Sequence, residues 1–227
     1  MSIDLEFSKF AHEYERYNII QEQVADELVS LLRYKPKCIL DLGCGSGALA
    51  KRVSWPIEQF VGVDFSKDML KLHPRTLQTE CIFGDFEDAA LYARLQKYDF
   101  DYLLSASALQ WAKDLDHVFW HIARFDAPIC FAIFTADTFK TVHKQAGVSS
   151  PLRSATELLT IAKKHLQFRY HLRSYALSFE NNYDMFRYIK RSGVSGSMKL
   201  LGYKQTKELI ENYPLSYLEF EVLFLYS

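Results

Sequence analysis

The sequence predicts an α/β fold on a mostly parallel central sheet, and three features carry that reading. Short apolar runs alternate with helix-period segments through the first 135 residues, the pattern of consecutive β-α-β units. A glycine cluster, Gly43, Gly45 and Gly47, directly follows the first run, where a strand hands over to a helix. Beyond residue 136 strands follow without long crossovers, which predicts an antiparallel edge at the C-terminal end of the sheet.

The elements follow in order. Residues 7–33 carry apolar side chains at helical spacing (Phe7, Phe10, Ala11, Tyr14, then Ile20, Val24, Leu28, Leu31, Leu32), read as two helices broken near Tyr17-Asn18. Pro36 ends the second, and the run 38–42 is suited to a buried central strand. Helices are expected at 48–53, 67–72, 89–95 and 115–125, alternating with strands at 59–64, 80–84, 100–105 and 129–135. Residues 156–165 and 183–191 read as helices, and 169–178 and 218–226 as strands, while 140–156 reads as trimmed.

Composition sets the bounds. With 227 residues, 49% of them hydrophobic, the chain holds one α/β domain with a small appendage and is too apolar to be disordered. A formal net charge of −1 provides no global field for gathering nucleic acid. Cys38, Cys44, Cys81 and Cys130 are scattered without a CxxC pair, which argues for reduced thiols and against a zinc site or a disulfide framework. No stretch reaches about 18 apolar residues, and the charged N-terminus lacks a signal-peptide core. The expectation is a cytoplasmic protein without membrane or nucleic-acid partners.

The chemistry concentrates in Asp41-Leu-Gly43-Cys-Gly45-Ser-Gly47. Small residues there let a ligand approach the backbone closely. Gly43, Gly45 and Ala48 also satisfy the dinucleotide fingerprint, so the glycines alone leave NAD open as a cofactor. Asp41 shifts the balance, because a carboxylate faces an amino group better than a pyrophosphate. Asp64, ending the second strand, is placed to accept bonds from ribose hydroxyls. Gly84-Asp85-Phe86 follows the third strand, a station with no regular counterpart in NAD proteins.

These stations resemble the class I S-adenosyl-L-methionine-dependent methyltransferases, with their D/E-x-G-x-G-x-G loop and Rossmann-like seven-stranded sheet with an antiparallel C-terminal strand. The resemblance implies that Asp41, Gly43, Gly45 and Gly47 hold the methionine part of the cofactor, Asp64 the ribose, and Asp85 and Phe86 the adenine. Phe65 and Met69 are candidate adenine walls, with core packing the alternative. Ser105, at the carboxyl end of strand four, is a further candidate contact.

The segment from Phe7 to Tyr17, the Leu109-Gln110-Trp111 element, Ser192-Gly-Val-Ser-Gly196 and Tyr213-Pro-Leu-Ser-Tyr217 resemble the biotin-synthesis malonyl-[acyl-carrier protein] O-methyltransferases. That resemblance implies a single domain with an N-terminal helical lid over 1–35, a cofactor core over 36–135 and an acceptor-side cap over 136–227. It implies methylation of the free carboxylate of malonyl-acyl carrier protein or malonyl-CoA. A carboxylate is already ionised near neutral pH, so positioning replaces a general base and no catalytic side chain is expected.

Arg187 and Arg191 are candidates to grip the acceptor carboxylate, with surface solvation the alternative. Gln110 and Trp111 are candidates for the acceptor pocket, Tyr14 for the substrate side of the lid and Tyr17 for its cofactor side. Arg153, Arg187, Lys190, Arg191, Lys199 and Lys204 are candidates for a basic rim that meets an acidic carrier protein. His12, His117, His121 and His143 lack metal-ligand spacing with Asp or Glu, so no metal is expected. Other readings are a methyltransferase for a different acid or a quinone ring, an NAD-dependent oxidoreductase, and a non-catalytic cofactor-binding protein.

Overall fold

The computed structural model describes residues 18–191 and 203–227, with Arg191 and Tyr203 described by backbone alone. The expectations for Tyr14, Tyr17, Lys199, the Arg191 side chain and the 192–196 motif lie outside the described residues. The helices are α1 (Ile19–Ser30), α2 (Lys67–Leu72), α3 (Ala89–Leu95), α4 (Leu115–Ile122), α5 (Lys140–Ala146), α6 (Ala155–Ala162), α7 (Asn182–Arg191) and α8 (Tyr203–Asn212). The strands are β1 (Cys38–Leu42), β2 (Gln59–Asp64), β3 (Thr79–Phe83), β4 (Tyr102–Ala106), β5 (Ile129–Phe134), β6 (Arg169–Ser178) and β7 (Tyr217–Tyr226).

Local chemistry starts the helices where the sequence places capping residues. Ser66 accepts a bond from the Met69 amide, Asp88 from Ala90 and Asp114 from His117, which satisfies first-turn donors of α2, α3 and α4. Ser154 and Glu157 form a full capping box on α6.

The strands form one sheet of seven in the order β3-β2-β1-β4-β5-β7-β6. β1 to β5 pair in parallel, and β7 runs antiparallel to both β5 and β6. β7 is the expected antiparallel C-terminal strand; it lies inside the sheet, with β6 at the edge beyond it. Burial explains the order. Consecutive residues Val222 to Leu225 are buried and need cover on both faces, whereas most β6 positions are exposed and suit an edge.

Alternation along the strands feeds two cores. Ile39, Phe60, Tyr102 and Leu104 face α1, α7 and α8 through Ile20, Val24, Leu28, Met185, Ile189 and Leu209. Leu40, Leu42, Val61, Val63 and Leu103 face α3, α4 and α6 through Leu91, Leu95, Val118, Phe119 and Leu158. Residues 19–30, expected within a lid, thus pack on the sheet beside β4 and β5.

Three local outcomes differ from the sequence reading. The helix expected at 48–53 shrinks to one 3-10 turn, Ala50–Arg52, beyond which Trp55 Nε1 donates to the Pro36 carbonyl at 2.8 Å. Residues 140–156, read as trimmed, contain α5. α8 was not anticipated, since only Leu209 among its described side chains is buried and its pattern is mostly polar.

Candidate active site

Gly43, Gly45, Asp64, Phe65, Met69, Phe86, Ser107, Ala108 and Trp111 line one cleft of ≈ 420 Å³, counting space open to solvent. It lies beyond the carboxyl ends of β1, β2, β3 and β4, on the side of a parallel sheet where ligands bind. Seven of the residues singled out from sequence meet here. Ser107 and Ala108 were missed. The legible signal for them was position: they are the first small residues after the end of β4.

The loop after β1 is built by close packing. Gly43 has φ +74°, and a Cβ there would fall 2.2 Å from Ala108 Cβ. Gly47 has φ +84°, with Pro74 Cδ 2.4 Å from where its Cβ would lie. Both positions exclude other residues on conformation and space alike.

Four amides of this loop are already engaged. Gly43 and Cys44 both donate to the Val63 carbonyl, at 2.8 and 2.9 Å, and Gly47 donates to Cys44 O at 2.9 Å. Gly45 donates to Asp64 Oδ2 at 2.8 Å. A dinucleotide pyrophosphate needs such amides open at the head of a helix. Here four are engaged and only a 3-10 turn follows, so this loop is not built for NAD.

Asp41 is 1% exposed, does not line the cleft, and its Oδ1 has no hydrogen-bond partner among the described residues. Burial, and secondarily the nearby charge of Asp64, pushes its carboxyl well above the usual range. An orphaned buried acceptor two positions before the loop fits a cationic or donor group brought by a ligand. Asp64 Oδ1 also accepts the Ser66 amide at 2.8 Å. Asp85 is exposed at the rim and accepts the Glu87 amide, while Phe86 is buried in the cleft wall.

Three acceptor-side and cofactor-side candidates lie outside the cleft lining. Ser105 is fully buried and its hydroxyl donates to Leu42 O at 2.7 Å, tying β4 to β1 away from the cleft. Gln110 is outside the lining, with its Nε2 on Ser107 O at 2.6 Å. Arg187 faces solvent and pairs with Asp184 at 2.7 Å, because Met185, Phe186, Tyr188 and Ile189 take the inward face of α7. Of the expected basic rim, Arg153 is bonded to the carbonyls of Ala112 and Lys113.

A methyltransferase domain model matches residues 39–128, from β1 to the start of β5. Residues 39–128 are a methyltransferase domain. With the strand order, this gives the chain the class I methyltransferase fold, whose methyl donor is S-adenosyl-L-methionine. The malonyl-[acyl-carrier protein] O-methyltransferase of Calditerrivibrio nitroreducens is 24% identical over 95% of this chain and 87% of its own length. The enzyme of that name from Geobacter sulfurreducens is 32% identical over 59% of this chain and 53% of its own. The chain thus matches about half the length of the latter methyltransferase. The complex of the Haloferax volcanii Trm112 methyltransferase activator with a methyltransferase contains a similar fold, with a TM-score of 0.62, 19% identity, and coverage of 99% of this chain and 97% of the matched one.

None of the four cysteines is paired. Among the described residues no helix is long and apolar enough to cross a membrane, and no group of three or more His, Cys, Asp or Glu side chains forms a candidate metal site.

Proposed function

We propose that this methyltransferase methylates the free carboxylate of a malonyl thioester, carried on acyl carrier protein or coenzyme A, as in biotin precursor synthesis. One observation carries the reading. Among the described residues lining the cleft the only ionisable side chain is Asp64, and both its oxygens already accept backbone amides. A hydroxyl or ring-carbon acceptor must lose a proton and calls for a base. A carboxylate arrives ionised and needs only alignment and exclusion of water. The similarity to relatives named for malonyl-acyl carrier protein methylation supports the same acceptor.

Bound S-adenosyl-L-methionine supplies an electrophilic methyl group. Asp41 is the counter-charge for its amino group, Asp64 holds the ribose, and Phe65, Met69 and Phe86 enclose the adenine. Ser107, Ala108 and Trp111 stand on the other side of β1 from the ribose station, where the acceptor approaches.

The test is methyl transfer from labelled cofactor to malonyl-acyl carrier protein, malonyl-CoA and a panel of other carboxylic acids. Transfer to either malonyl thioester is expected. Transfer only to a different acid removes the malonyl assignment while leaving the carboxylate chemistry in place.

A further inference from the structure

Ser107 combines two costs that its surroundings do not repay. Its φ is +60°, a left-handed conformation that L residues other than Gly, Asn and Asp seldom adopt. Its Oγ is shielded from solvent and has no hydrogen-bond partner among the described residues. The backbone around it is held firmly: its amide donates to Ala132 O at 2.9 Å, and its carbonyl accepts from Gln110 Nε2 at 2.6 Å. Strain and an unsatisfied hydroxyl in one residue are retained when the position serves a ligand.

Topology says which ligand. The ribose and adenine stations sit at the ends of β2 and β3, on one side of β1, and β4 lies on the other. Ser107 follows β4 directly and lines the cleft beside Ala108 and Trp111. Arg187 is turned to solvent on Asp184, and among the described residues lining the cleft there is no cation for the acceptor carboxylate. We propose that Ser107 is an acceptor-binding residue, its hydroxyl donating a hydrogen bond to the carboxylate oxygen that is not methylated. This rests on the carboxylate reading above. It also makes Ser107 a determinant of specificity, because an uncharged acceptor gains less from that donor.

Two variants of the full chain separate the hydroxyl from the backbone. Ser107→Ala keeps a Cβ in the left-handed conformation, whereas Ser107→Gly relaxes it. For each, calorimetry measures S-adenosylhomocysteine affinity, and then malonyl-CoA affinity for the S-adenosylhomocysteine-loaded protein; steady-state kinetics with the malonyl acceptor follow. Both variants are expected to bind S-adenosylhomocysteine as the wild type does. Both should lose about tenfold to a hundredfold in malonyl-CoA affinity and acceptor kcat/KM, the scale of one hydrogen bond to a charged group.

Unchanged acceptor affinity in both variants overturns the proposal. So does a loss in Ser107→Ala that Ser107→Gly restores, since that assigns the effect to the backbone. A wild type that binds S-adenosylhomocysteine but neither binds nor methylates a malonyl thioester overturns the acceptor reading, and this proposal with it.

Discussion

Gly45 donates its backbone amide to Asp64 Oδ2 at 2.8 Å. The loop after β1 and the end of β2 are therefore one unit, and the carboxylate proposed to meet the cofactor ribose also sets the shape of the loop beside it. Asp64→Ala should lower S-adenosylhomocysteine affinity about a hundredfold or more, since it removes bonds to ligand and loop together. It should also speed hydrogen exchange at the Gly45 amide in the absence of ligand. Lost affinity with unchanged exchange would separate the two roles.

The Asp41 carboxyl should make stability depend on pH. Its folded pKa stands well above the ordinary value because of burial and then Asp64, while the unfolded value is about 3.9. Between the two the folded state keeps a proton that the unfolded chain has lost, so stability falls as pH rises through that window. Asp41→Asn should flatten this slope and melt higher than the wild type at neutral pH, yet bind S-adenosylhomocysteine more weakly. Thermal melts from about pH 4 to pH 8 check the first part and calorimetry the second; parallel melting curves for the two proteins would contradict it.

Arg187→Ala should leave acceptor KM unchanged and alter stability by less than about 0.5 kcal/mol, the usual worth of an exposed i,i+3 pair. Acceptor kinetics at several malonyl-CoA concentrations decide the matter. A rise in KM would return Arg187 to the acceptor site.

Gly43→Ala should destabilise the protein by about 2–4 kcal/mol, from a left-handed backbone and from collision with Ala108 Cβ. Adding Ala108→Gly removes the collision but not the conformational cost, so the double variant should recover about half of the loss. Denaturant melts of the four members of the cycle measure this. Simple additivity would mean that the loop gives way instead of colliding.

Much of the fold was legible because burial writes itself into sequence. The runs at 38–42, 59–64 and 129–134 lie inside a sheet covered on both faces, so nearly every position is buried and most are apolar. The cleft lining was legible for a related reason: glycines at positive φ and carboxylates at strand ends have few other uses. The acceptor side was less so. Arg187 has the right chemistry for a carboxylate, and only the helix face that it occupies shows that it serves Asp184. Ser105 and Ser107 are the same residue type two positions apart. The strand's alternation and the turn after it decide which hydroxyl is spent on Leu42 and which is left over.

The placement of β7 between β5 and β6 has a consequence for biosynthesis. β5 and β6 both leave the ribosome before the strand that joins them, so β5 presents an open edge, buried in the finished sheet, while residues 217–226 are still being made. Unpaired apolar edges of that kind invite association with other chains. The β5-β7-β6 half of the sheet is thus the last to become safe, and a nascent chain stalled before residue 217 is the species on which a chaperone would have most to do.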